Sequence, residues 1–212
     1  MAFAVRRALL VFLGVCIVGA ALAGALDETF DAVKRDDVQS ASRLFARGID
    51  VNTTDPNGNS LLAIAAREGS NGVCRLLLQS GANPNTVNPL GENALMLAAL
   101  NGHLEVVRQL LVAGAVTEKT GWKPLIYAAV KGDVRIVRLI LAFGARIDGA
   151  SDNGLTPLMM AAREGHLEVV ALLINQGADI GAISDSGMTA MAFAQKAAKR
   201  EIIDLISRAG GK

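Results

Sequence analysis

TPLMMAAREGHLEVVALLINQGAD, residues 156–179, is a sentence this chain writes several times. NALMLAALNGHLEVVRQLLVAGA begins at Asn93, and KPLIYAAVKGDVRIVRLILAFGA begins at Lys123. Aligned on glycine, the copies acquire a period. Gly58, Gly91, Gly121, Gly154 and Gly187 open successive units at spacings of 33, 30, 33 and 33 residues. Gly69, Gly102, Gly132 and Gly165 each follow 11 residues later, and Gly81, Gly114, Gly144, Gly177 and Gly210 close the units. A fixed period in this range marks a stacked repeat architecture.

Each unit reads as two short helices and a loop. Ser60, Asn93, Thr156 and Thr189 stand where a side-chain oxygen can accept the free N–H groups of a helix start. Pro124 and Pro157 follow at the first helical position, which tolerates the missing donor. Ala pairs at 65/66, 98/99, 128/129 and 161/162 allow close helix approach, and the following glycine ends the helix. The second helix carries adjacent apolar residues, as in Val106-Val107 and Leu110-Leu111, which give it two contact faces. Such a helix expects a neighbour on each side, so the pairs must stack. Polar stretches such as 50–57 supply the connections.

The ends differ from the middle. Residues 27–52 align as a degenerate first unit, with Ser40 where later units place Val73, Val106, Ile136 and Val169. The last unit has Ala198 in the glycine slot and the basic residues Lys196, Lys199 and Arg200. The expected division is a cap at 26–54, repeats at 55–87, 88–117, 118–150 and 151–183, and a cap at 184–212. The expected fold class is all-α, a solenoid of stacked helix pairs with short hairpin loops.

The N-terminus is of another kind. Arg6 and Arg7 precede an uncharged run from Ala8 to Leu26, and Ala21-Leu22-Ala23 and Ala23-Gly24-Ala25 have the small–x–small form of a cleavage site. This predicts a secretory signal over 1–25 and an exported protein, most simply periplasmic. The alternatives are an uncleaved apolar anchor, which would tether the domain to a membrane, and a secreted effector that binds a host protein. Without Arg6 and Arg7 the 21 basic residues become 19 against 20 acidic, so no bulk charge favours nucleic acid. Cys16 falls in the signal. Cys74 then stands alone where other units have Val107, Val137 and Val170, which reads as a small buried hydrophobe and not as half of a disulfide.

These residues together resemble the ankyrin-repeat family: Gly154, Thr156-Pro157-Leu158, Ala161-Ala162, Gly165-His166-Leu167, Val169-Val170, Leu172-Leu173 and Gly177-Ala178-Asp179 match its pattern. The resemblance covers the whole chain after the signal. It departs in two ways. The family's His after Pro-Leu is replaced by Ala63, Met96, Ile126, Met159 and Ala192, which puts the usual bracing of the loops in question. The third full unit lacks three residues between Gly114 and Gly121, so its finger should be short. The resemblance implies a protein-binding module whose fingers and first helices form a concave face, with no enzymatic activity.

No motif for chemistry stands against that reading. His103 and His166 share one slot after the inter-helix glycine, where a scaffold role capping the second helix is expected. Asp36, Asp37 and Asp185 read as loop or cap acids without an arranged partner, and Tyr127 as core. No catalytic residue, metal ligand, cofactor or small-molecule substrate is expected. The informative positions are those the family's scaffold leaves free. There the chain places Leu90, Leu100, Trp122, Val130, Leu155 and Met188, flanked by Arg67, Lys131 and Arg163. An apolar strip with an aromatic anchor and a charged rim is the expected partner-binding surface.

Overall fold

The computed structural model describes residues 24–118 and 121–210. Most of the expected signal, 1–23, lies outside the described residues, as do Lys119 and Thr120 of the short third finger. Helix α1 covers 24–34. It is followed by α2 (Val38–Ala46), α3 (Leu61–Glu68), α4 (Asn71–Gln79), α5 (Ala94–Asn101), α6 (Leu104–Val112), α7 (Pro124–Lys131), α8 (Val134–Ala142), α9 (Pro157–Glu164), α10 (Leu167–Asn175), α11 (Ala190–Lys196) and α12 (Arg200–Arg208). The described residues contain no β-strand, only an isolated bridge between Thr54 and Ser60 at the first finger.

The helices start and stop where the sequence says. Ser60, Asn93, Thr156 and Thr189 accept the backbone N–H of Ala63, Met96, Met159 and Ala192 at 3.0 to 3.3 Å. The third unit opens on Lys123, whose side chain makes no such bond, and relies on Pro124 instead. The first helices of the four full units end on a glycine with positive φ. In the two terminal units the same slot holds Asp36 (φ 56°) and Ala198 (φ 54°), a conformation that L-residues adopt at a cost.

First helices pack in one row, α3–α5–α7–α9–α11, and second helices in another, α2–α4–α6–α8–α10–α12. The four alanine pairs are fully buried between neighbouring first helices. Leu61, Leu95, Leu125 and Leu158, one per unit, are buried with them, and Val73, Val106, Ile136 and Val169 do the same from the second row. Each such side chain contributes roughly 1.5–3 kcal/mol, and the core is continuous from unit to unit. Cys74 is completely buried in that core, in its valine slot.

Polar side chains stitch the units together outside the core. Asn52 accepts the backbone N–H of Asn83, Asn85 that of Val116, and Asp148 that of Asp179, and within the third unit Glu118 accepts that of Arg146, each at 2.9 to 3.0 Å. The loops also have their own braces in place of the family's absent His. Asp55, Asn88, Ser151 and Ser184 stand three residues before the turn glycine. Each takes backbone N–H groups from its own turn: Asn57 and Asn59, Leu90 and Glu92, Leu155, and Met188. The short third finger is tied to the fourth, since Gly121 N–H donates to Asp152 at 2.9 Å, and within the third unit Lys123 donates through Nζ to the carbonyl of Ala150.

Asp36 and Asp37 are cap acids, as the sequence suggests, but both have arranged partners, which corrects that part of the reading. Asp37 caps α2 by accepting Ser40 N–H at 2.9 Å. Asp36 reaches into the next unit and accepts the N–H groups of Gly72 (3.1 Å) and Val73 (2.7 Å) at the start of α4. Ser70, the local cap position of α4, makes no capping bond. A left-handed residue in the first unit therefore caps a helix of the second.

Candidate functional site

The sequence-predicted contact residues lie at the finger turns and in the last turns of the first helices. Leu90 sits at the tip of the second finger, just before Gly91 in its turn, and is 83% exposed. Leu100 is half-buried near the end of α5. Trp122, Val130 and Leu155 keep some exposure but also pack against the core, so each serves the scaffold as well as the surface. Met188 is half-buried at the last finger. Lys131 is exposed at the end of α7, and its stem lies over Gly102 of the preceding unit. Arg67 and Arg163 are turned sideways onto their neighbours Glu68 and Glu164, at 3.0 and 2.7 Å.

Tyr127 is only half-buried, because its hydroxyl needs a partner. The hydroxyl donates to Glu92 Oε1 of the preceding unit at 3.0 Å. Burial and that carboxylate both push the Tyr127 pKa well above its ordinary value. Its ring meets Trp122 edge to face, with centroids 5.5 Å apart, a favourable aromatic geometry. Trp122 is thereby held in place from one side while it keeps contact with solvent.

Glu92 continues a polar chain that the sequence analysis did not foresee. Its Oε2 accepts Asn88 Nδ2 at 3.0 Å, and the same amide donates to Asn59 Oδ1 at 3.0 Å. Asn59 Nδ2 in turn donates to the Asp55 carboxylate at 2.9 Å. The chain Asp55–Asn59–Asn88–Glu92–Tyr127 thus crosses three units at the base of the fingers. Desolvation pushes the Asp55 carboxyl upward, but its bonds from Asn59 and Asn57 outweigh that, and the pKa falls below the ordinary value. The one available signal was phase: residues about one period apart are neighbours in any stack.

The two histidines do hold the scaffold together, though not by capping their own helices. Neither makes a side-chain capping bond. His103 Nε2 lies 3.0 Å from the carbonyl of Arg67, and His166 Nε2 lies 2.8 Å from that of Val130, in each case one unit back. They terminate the open carbonyls of α3 and α7. Among the described residues no cluster of His, Cys, Asp or Glu could hold a metal ion, and no helix is long and apolar enough to cross a membrane.

Comparison with known proteins places this geometry. A family profile described as ankyrin repeats (3 copies) matches residues 29–120, 62–151, 112–184 and 149–211. Among solved structures, an ankyrin repeat domain from Acinetobacter baumannii AYE is similar, with 28% identity, a TM-score of 0.75, and coverage of 86% of this chain and 97% of that one. No curated protein matches the chain. With overlapping matches from residue 29 to residue 211 and a solved relative of the same shape, this chain belongs to the ankyrin-repeat family.

Proposed function

We propose that the protein is an exported, non-catalytic adaptor that holds another protein along its inner face. Ankyrin repeats in general serve as protein-interaction modules. What supports the finer reading is the register of Leu90, Leu100, Trp122, Val130, Leu155 and Met188. Trp122, Leu155 and Met188 each follow a turn glycine, Leu100 and Val130 each stand two residues before an inter-helix glycine, Leu90 precedes its turn glycine, and each keeps contact with water. Apolar surface at several adjacent places on one face is the usual mark of a contact region. Trp122 is its anchor, since a pre-positioned tryptophan loses little entropy on binding. Lys131, Arg67 and Arg163 form the rim.

The export part of the proposal rests on the basic, apolar and small-residue order of 1–25, with release into the periplasm after cleavage. The N-terminal sequence of the protein purified from its native compartment tests it. A mature start within residues 24–26 is expected, and an intact Met1 would overturn release.

A photo-crosslinking residue at position 122 tests the adaptor role. One dominant protein product is expected, with its affinity lowered by Trp122→Ala about tenfold or more. Absence of any specific product in the native compartment would overturn it.

A further inference from the structure

A groove of about 480 Å³ opens between the first two fingers of the full units. Its walls include Asn57, Asn59, Arg67, Leu90, Glu92 and Leu97. Leu97 is 7% exposed and Leu90, lining the same groove, 83%. The Glu92 carboxylate lines the groove with them. Its two oxygens are held by neutral donors, the Tyr127 hydroxyl and the Asn88 amide. No cation among the described residues lies within ion-pair reach of it. The one guanidinium lining the groove, Arg67, is committed to Glu68. Behind Asn59 lies a further carboxylate, Asp55, satisfied by Asn57 and Asn59. Of the residues that line the groove, Glu92 is the one carboxylate and Arg67 the one cation, and with Arg67 turned onto Glu68 the Glu92 carboxylate is left without a cationic partner.

We propose that this groove receives an arginine side chain from the bound partner, paired with Glu92 and with its stem laid along Leu90 and Leu97. The inference rests on the inner-face adaptor reading and adds the chemistry of one contact. A carboxylate partly removed from water and satisfied only by neutral groups is improved by a cation. Arginine fits better than lysine. Glu92 is fixed through both oxygens, so it presents a carboxylate of set orientation to a planar fork, and the apolar walls match the guanidinium's methylene stem. The Tyr127–Trp122 pair next to Glu92 gives the same partner segment its apolar contact one unit further along.

The test is an NMR titration of the full mature domain with the acetylated, amidated peptide Ala-Leu-Arg-Leu-Ala. Two further peptides carry citrulline, the uncharged counterpart of arginine, or glutamate at the centre. The arginine peptide is expected to shift the amide signals of Leu90, Glu92 and Leu97 and the Trp122 indole. It should bind about tenfold more tightly than the citrulline peptide. Glu92→Gln should abolish that difference. Leu90→Lys sets a competing cation at a largely exposed lip without touching the core, and should do the same if Glu92→Gln fails to fold. Equal binding of the arginine and citrulline peptides in this groove would overturn the arginine assignment and leave inner-face binding standing. Shifts confined to other units, or none with any peptide, would also overturn it. The crosslink at position 122 decides the adaptor reading separately.

Discussion

The imidazole of His166 lies directly over Gly132. Its Nε2 is 2.8 Å from the carbonyl of Val130, and a Cβ placed on Gly132 would fall 2.3 Å from its Nδ1. Gly132 is thus required twice, once for its φ of 82° and once for the space its missing side chain leaves to the next unit. Gly132→Val is expected to destabilise the protein by more than about 2 kcal/mol. Gly144→Ala separates the two causes. That glycine has φ 88°, but an added Cβ meets nothing within 4 Å, so only about 1 kcal/mol should be lost. Urea unfolding of both variants measures the difference, and equal losses would mean the histidine contact carries no weight.

Asp36 should matter more than an exposed loop acid normally does. It closes the start of α4 through two backbone N–H groups across a unit boundary. Asp36→Gly relieves the left-handed backbone but deletes the cap. A net loss of about 1 kcal/mol is expected, with early loss of amide protection in α1 and α2 by hydrogen exchange.

At the opposite end, Ala198→Gly should stabilise. Ala198 holds φ 54° in the slot that glycine occupies in the full units. Relief of that strain, set against the greater freedom of glycine in the unfolded chain, leaves a gain of about 0.5–1 kcal/mol. A raised midpoint in urea with unchanged slope is the expected result.

Cys74 reports on opening of the stack. Burial pushes its thiol from an ordinary value of 9.0 up to about 12, with the Asp36 charge adding to the effect. The folded protein keeps a proton that the unfolded chain releases. The stability contributed by this group is therefore complete below pH 9 and declines as pH rises toward 12. A thiol reagent at pH 8 should label Cys74 only as fast as the domain opens, and Cys74→Val should leave stability within about 1 kcal/mol.

The repeat period, the caps at Ser60, Asn93, Thr156 and Thr189, and the buried alanine pairs were all legible in the sequence, because each is a local requirement of a helix or its packing. What was not legible lies between units. His103 and His166 contact carbonyls 36 residues back, Asn88 reaches Asn59 at a separation of 29, and Tyr127 meets Glu92 at 35. The period says that such residues are neighbours but not which of them bond, since that depends on rotamers and on which partner is already engaged. Trp122 shows the same limit. Its place on the inner face follows from phase, whereas its edge-to-face contact with Tyr127 is set by the Glu92 carboxylate that positions the tyrosine.

The side-chain stitches from Asn52, Asn85 and Asp148 each join a unit only to its successor. Tandem duplication of a unit such as 55–87 would set Asn85 of the first copy against Asn83 of the second and keep the bonds on either side, so the molecule could lengthen in evolution one copy at a time. The third unit is the exception. Its tie from Gly121 to Asp152 fits one particular successor, so a copy inserted between it and the fourth would have to supply the same acceptor.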